Sequence, residues 1–233
     1  MPIMNSDEHN HGILLVNKPA GETSFSLVRA LRRRFNVKKI GHAGTLDPFA
    51  TGLMVMLIGK QYTRMSDTFI NDDKEYIATM LLGITTDSYD CDGAVLKTSE
   101  HIPTEEDINN AVKQFCGKIE QTPPMFSAKK VNGKKLYELA RKGKEIYRKP
   151  SLITVETTIT SYEYPIVKMH IECSKGTYIR SIAHDLGNSL ECGGHLIELH
   201  RIRCGKFHVN DSIDGNLLES NDTDIEKWIL SKT

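Results

Sequence analysis

Six consecutive apolar residues, Leu53 to Ile58, end at Gly59, and this run limits the fold more than any other feature of the sequence. A continuous apolar run of this length bounded by a turn signal reads as a strand buried on both faces. Whatever architecture the chain adopts must cover both sides of it. Upstream, Gly12 to Asn17 reads as a second strand and Lys18-Pro19-Ala20-Gly21 as a turn. Thr23 or Ser24 can cap a following helix, along which Phe25, Val28, Leu31 and Phe35 recur at helical spacing as its apolar face. Gly41 to Pro48 then reads as a loop leading into the apolar run.

Further along, Tyr76 to Leu82 reads as a strand, and Pro103-Thr104 opens a helix in which Thr104 followed by Asp107 resembles a capping box, with Asp in place of the usual Glu or Gln. Pro123-Pro124 begins an irregular segment. Residues Ile153 to Cys173 read as two strands joined near Pro165, Ile179 to Leu190 as a helix, and His195 to Ile202 as a strand. Strands and helices are mixed without a regular βαβ alternation. The expected class is α+β, with a mixed, largely antiparallel central sheet flanked by helices.

Charge is segregated rather than abundant. The net charge is zero, but six basic residues and no acidic one lie between Thr23 and Leu46: Arg29, Arg32, Arg33, Arg34, Lys38 and Lys39. Nine more lie between Lys129 and Lys149 against two glutamates. Acid is concentrated around Asp87 to Asp107 and after Asn210. Such a chain can hold a polyanion on one face, and two solvated helix faces would give the same pattern. The five cysteines include no C-x-x-C pair, which favours buried thiols in a reducing cytoplasm over disulfides or a zinc ribbon. No signal segment or membrane-length apolar stretch is seen. The acidic loop Asp87 to Gly93 lacks the calcium pattern, with Ser88 and Ser99 where an EF-hand loop needs Asp and Glu. Neither a P-loop nor a dinucleotide fingerprint is present.

The densest chemical signal is Gly41-His42-Ala43-Gly44-Thr45-Leu46-Asp47-Pro48-Phe49-Ala50-Thr51-Gly52. Glycines permit close approach of backbone to a ligand, and Pro48 restricts Asp47 to an extended conformation. A carboxylate so held is placed for chemistry, although from the residues alone a turn whose aspartate bonds nearby amides is the readier reading.

This loop resembles the catalytic motif of the TruB family of tRNA pseudouridine synthases, G-H-x-G-T-L-D-P-x-A-x-G. The resemblance extends through Asn17-Lys18-Pro19-Ala20-Gly21-Glu22-Thr23-Ser24, Asp73 to Tyr76, Thr122 to Ala128, Cys173 to Arg180 and His195 to Arg201. It implies the pseudouridine synthase fold over residues 1–210 and a basic thumb-like segment at 124–150; the short acidic tail expected at 211–233 departs from the many relatives that carry a PUA domain. It implies isomerisation of uridine to pseudouridine at position 55, in the T-loop of tRNA, with Asp47 as the nucleophile. Tyr76 would stack on the flipped uracil, Tyr178 and Leu199 would wall the pocket, Arg180 would orient Asp47, and His42 would intrude into the RNA loop. Lys18, Arg29, Arg32, Arg33, Lys129, Lys130, Lys134 and Lys135 would contact the RNA backbone. Flipping a base out of its stack costs a few kcal/mol, which aromatic faces can return. No cofactor and no metal are expected, and tRNA is the expected partner of a monomeric, cytoplasmic enzyme. Two other readings stand beside this one: a guide-dependent pseudouridine synthase, which the missing PUA domain argues against, and an RNA-binding chaperone of tRNA folding.

Overall fold

A computed structural model describes residues 10–131, 133–220 and 222–230. In chain order its elements are β1 (Gly12–Lys18), α1 (Ser24–Phe35), β2 (Ile40–His42), β3 (Thr51–Ile58), α2 (Lys60–Thr63), α3 (Ser66–Ile70), β4 (Lys74–Leu82), β5 (Ile84–Thr86) and β6 (Val95–Thr98). Then follow α4 (Glu105–Val112), β7 (Gly117–Gln121), β8 (Lys130–Val131), β9 (Lys134–Lys135), α5 (Leu136–Ala140), β10 (Ser151–Glu163) and β11 (Ile166–Cys173). The last are α6 (Ile179–Ser189), β12 (Gly194–Cys204), β13 (Phe207–His208), β14 (Ile213–Asp214) and β15 (Ile229–Leu230). The residues form two compact units, Met1–Tyr76 with His200–Thr233, and Ile77–Leu199. The sheet strands are mixed and mostly antiparallel, as expected for α+β.

In the first unit β3 is the central strand. It pairs antiparallel with β1, from Gly12↔Ile58 to Lys18↔Gly52, and with β2, and parallel with the end of β12, where Arg201 faces Gly52. Seven of its eight residues are buried, the outcome an uninterrupted apolar run requires. One face packs into a core with Leu15, Ala43, Tyr62, Phe69, Cys204 and Phe207. The acidic C-terminal segment folds onto β1. β14 pairs with it in parallel and β15 antiparallel, and Leu218 and Ile225 are buried.

Two sequence expectations change here. The motif loop starts later than Gly41, because Ile40 to His42 pair with β3 and Ala43 N–H donates to Val55 O at 2.9 Å. And Phe25 is not on the apolar face of α1. That face comprises Ser24, Leu27, Val28, Ala30, Leu31 and Phe35, whereas Phe25 is 54% exposed. At about 100° per residue, Phe25 lies roughly 120° around the helix from Leu31, beyond the edge of the buried stripe.

In the second unit β12, β4, β11, β10 and β7 lie side by side in that order. β10 and β11 form the long hairpin expected around Pro165, with register from Val155↔Cys173 to Glu163↔Ile166. The capping box of α4 is formed: Asp107 N–H donates to Thr104 Oγ1, and Thr104 N–H donates to the Asp107 carboxylate. Ile108, Val155, Ile171, Ile182 and Leu186 are among the buried residues of this unit.

Candidate active site

In the first unit the loop carrying Asp47 is tied from several sides. Thr23 caps α1, its side chain accepting from Ser26 N–H. Ser24 then turns its hydroxyl inward, where Oγ accepts from Leu46 N–H and donates to Leu46 O, both at 2.9 Å. One serine thereby satisfies both backbone groups of the residue preceding Asp47. Gly21 N–H donates to Pro48 O at 2.9 Å. Ala50 N–H returns to Asp47 O at 3.2 Å, closing a turn around Pro48.

Two buried cations brace the same loop. Lys18, at the end of β1, is wholly buried. Its ammonium donates to Pro19 O, Glu22 O and Pro48 O at 2.8, 2.7 and 3.1 Å. Burial lowers its pKa to about 8, against the opposing pull of the Glu22 and Asp47 carboxylates, and the charge of Arg201 lowers it further. This geometry gives Lys18 a bracing role in the loop in place of the expected phosphate contact, because its charge faces carbonyl oxygens and no solvent. Arg201, on β12, is as deeply buried. Its Nε donates to Leu53 O at 2.7 Å, and one terminal nitrogen reaches Gly44 O at 3.3 Å and Met54 Sδ at 3.1 Å. The close approach of β12 to β3 at this point requires glycine: a Cβ at Gly52, whose φ is +104°, would meet the Arg201 backbone at 2.4 Å.

His42, at the end of β2, is half-buried. Burial lowers its pKa from the ordinary value, and the Arg201 charge acts in the same direction, so the neutral imidazole is favoured. Tyr76, on β4, is buried.

In the second unit, Tyr178 is the N-cap residue of α6. Gln121, at the end of β7, clamps it from both sides, accepting from Tyr178 N–H at 2.7 Å and donating to Tyr178 O at 3.0 Å. Arg180 is buried in the first turn of α6. Its guanidinium donates to Ser88 O and Phe126 O, each at 2.7 Å, and pairs with Asp90 Oδ2 at 3.2 Å. The other oxygen of Asp90 accepts from Ser88 Oγ at 2.5 Å and Asp92 N–H at 3.1 Å. A guanidinium suits this position because its planar fork donates in several directions at once. The acidic loop around Asp90 therefore serves as a counter-charge for Arg180. Leu199 lies buried on β12.

The basic residues divide by burial. Arg29, Arg32 and Arg33 are exposed on α1. Arg33 forms an ion pair with Glu219 of the C-terminal segment, and Arg32 reaches Ile40 O at 3.3 Å. Arg34 donates to Ser220 O and Thr223 O at 2.9 and 2.7 Å, pinning that segment to the helix. In the second unit Lys130 and Lys134 are exposed on the β8–β9 hairpin, where Lys130 faces Lys135. Lys129 donates to Ser151 Oγ at 3.0 Å.

Three residues outside the expected site hold this architecture: Ser24, expected only as a possible helix cap, and Arg201 at the Asp47 loop, and Gln121 at Tyr178. Ser24 and Arg201 each end a motif block that the sequence does display, although neither block announces a tie to the Asp47 loop; Gln121 carries no distinguishing signal of its own.

Comparison with known proteins places the chain in a family. Residues 32–179 match the family profile described as TruB family pseudouridylate synthase (N terminal domain), and residues 180–229 match the tRNA pseudouridylate synthase B C-terminal domain. The tRNA pseudouridine synthase B of Chlamydia abortus is 60% identical over 222 residues, 95% of this chain and 94% of that one. Its namesake from Protochlamydia amoebophila is 62% identical over 207 residues, 89% of this chain and 79% of that one. Among solved structures, a Cbf5-Nop10-Gar1 complex contains a chain that matches at a TM-score of 0.72 and 25% identity. The match covers 95% of the present chain and 60% of that one. With a profile spanning most of its length and relatives this similar, the chain belongs to the TruB family of pseudouridylate synthases.

Proposed function

We propose that this protein converts uridine to pseudouridine at position 55, in the T-loop of tRNA, with Asp47 as the nucleophile acting on a flipped-out base. The reaction class follows from family membership and from relatives named tRNA pseudouridine synthase B that are 60% and 62% identical to it over the matched residues. The choice of nucleophile rests on one observation. Asp47 sits in a loop whose neighbours on both sides are held, by Ser24 at Leu46 and by Lys18 and Gly21 at Pro48. A carboxylate that must meet one carbon of one nucleoside needs its approach fixed beforehand, since orientation supplies much of the rate.

The isomerisation is balanced within the substrate. The bond from C1′ to N1 breaks, a bond from C1′ to C5 forms, C5 loses a proton and N1 gains one. In this reading Asp47 enables the detachment and Tyr76, Tyr178 and Leu199 contact the base. Arg180 orients the reacting carboxylate, and His42 enters the RNA loop as a neutral side chain. Lysines of the 124–150 segment and arginines of α1 take backbone phosphates. These contacts position the RNA without reading its sequence, the usual division of labour in RNA recognition. The protein acts as a monomer in the cytoplasm.

The test uses purified protein and an unmodified tRNA transcript, with no guide RNA, and maps pseudouridine by carbodiimide adducts and reverse-transcription stops. Wild type gives a single stop in the T-loop. Asp47→Asn gives none, with turnover reduced roughly 10⁴-fold or more and tRNA affinity within about threefold of wild type. A stop elsewhere overturns the assigned position, and an active Asp47→Asn protein overturns the assigned nucleophile.

A further inference from the structure

Phe25 is the large apolar residue that α1 leaves in solvent. It shares an exposed stripe with Arg29 and Arg32, four and seven residues on. Both guanidiniums lie 5.8 Å from the centre of its ring. Because both arginines follow Phe25 in the helix, they approach the ring from its C-terminal side. Helical side chains lean toward the N-terminus, so the ring projects toward the end of α1 that Ser24 fastens to Leu46. An exposed aromatic flanked by two cations thus stands one residue from the serine that clasps the Asp47 loop.

This arrangement suits one ligand chemistry. An exposed phenylalanine gains nothing from water, and a nucleobase offers it a flat π-face. Guanidiniums beside it suit the phosphates on either side of that base and add cation–π attraction of their own. The groove beside this stripe, lined by Glu22, Ser26, Leu27, Arg29, Arg33 and Glu219, is mainly polar, so a lipid or an apolar peptide finds no extended apolar surface there.

We infer that Phe25 is a stacking platform for an unpaired base of the RNA substrate, with Arg29 and Arg32 holding the adjoining phosphates. The base is distinct from the one that undergoes isomerisation. The inference rests on the proposed tRNA activity, and the test separates the two. A T-arm stem-loop RNA is titrated against wild type and against Phe25→Ala, Phe25→Leu and Phe25→Tyr, with turnover measured alongside. Phe25→Ala and Phe25→Leu raise Kd and KM about tenfold, while kcat at saturating RNA changes by less than about threefold. Phe25→Tyr keeps wild-type affinity, because stacking needs an aromatic face rather than bulk. In a Trp228→Phe background, Phe25→Trp supplies a single tryptophan whose emission is quenched as the stem-loop binds. If wild type binds and modifies the stem-loop while Phe25→Leu stays within twofold of it, or the Trp emission does not change, this inference fails alone. If wild type neither binds nor modifies the RNA, the inference falls together with the proposed function.

Discussion

The loop from Ala43 to Ala50 and the hairpin from Lys130 to Lys135 are both irregular or nearly so, yet they are built on opposite principles. The loop has no ladder of its own, but four elements tie it: Ser24 of α1, Lys18 of β1, Val55 of β3 and Arg201 of β12. The hairpin has a ladder of two pairs, and one of them sets Lys130 opposite Lys135. Like charges directly opposed in a ladder cost stability. The first region uses buried cations to hold backbone in place. The second leaves its cations toward solvent, where a polyanion can relieve their repulsion. Chemistry on one carbon demands position, whereas a grip on phosphates demands charge and tolerates slack.

The sharpest way to break the comparison is to remove a brace. Arg201→Met leaves the Leu53 and Gly44 carbonyls without their donor. A loss of ~2–4 kcal/mol in denaturant unfolding is expected, because buried acceptors lose a charged partner. Turnover should fall further than RNA affinity, since the Asp47 loop is what loosens. Unfolding and turnover both close to wild type would show that Arg201 braces nothing.

Lys18 tests the same brace by pH. Its folded pKa lies near 8 and its ordinary value near 10.5. Between those values the unfolded chain holds a proton that the folded chain has released, so stability rises with pH across that window. Below pH 8 both states are protonated and this residue contributes no slope. In Lys18→Met the rise contributed by this residue is absent, as read from urea midpoints at pH 8, 9 and 10. Parallel slopes in the two proteins would contradict a desolvated ammonium.

In the hairpin the expected effects are smaller and concern binding. Changing Lys129, Lys130, Lys134 and Lys135 to Gln should flatten the plot of log Kd against log salt. If each lysine meets one phosphate, the slope falls by about 0.7 to 0.9 per lysine removed. An unchanged slope would remove these lysines from the RNA interface, while a lowered unfolding midpoint would make them structural.

What the sequence discloses about these regions follows the range of the interactions. The β3 run, the α4 capping box and the β10–β11 hairpin depend on neighbours within a few residues or on one period, and all were readable. The Asp47 motif was readable as a block because glycine, proline and aspartate constrain the backbone locally. The roles of Lys18 and Arg201 were not, because burial depends on register. Lys18 becomes interior only when β1 pairs with β3 so that Lys18 faces Gly52. Arg201 reaches Leu53 across a parallel pairing that no local pattern announces. Phe25 departs from the expected face for a different reason. A spacing of three and four residues fits more than one helical stripe, and the stripe chosen by the core is centred nearer Leu31.

One substitution sets the two principles against each other within a single pair. Lys130→Glu replaces a like-charge pair with an opposite-charge pair across from Lys135. The hairpin should gain ~0.2–1 kcal/mol, seen as slower amide hydrogen exchange at residues 130, 131, 134 and 135. The same change puts a negative charge where a phosphate would approach, so RNA affinity should fall by more than the loss from Lys130→Gln. Stability and binding then move in opposite directions. If the hairpin tightens and affinity is unchanged, the lysine pair is an exposed charge with no partner in RNA. If affinity falls without tightening, the charge matters to RNA, but the repulsion is already screened by solvent, and the hairpin gives up no stability for its grip.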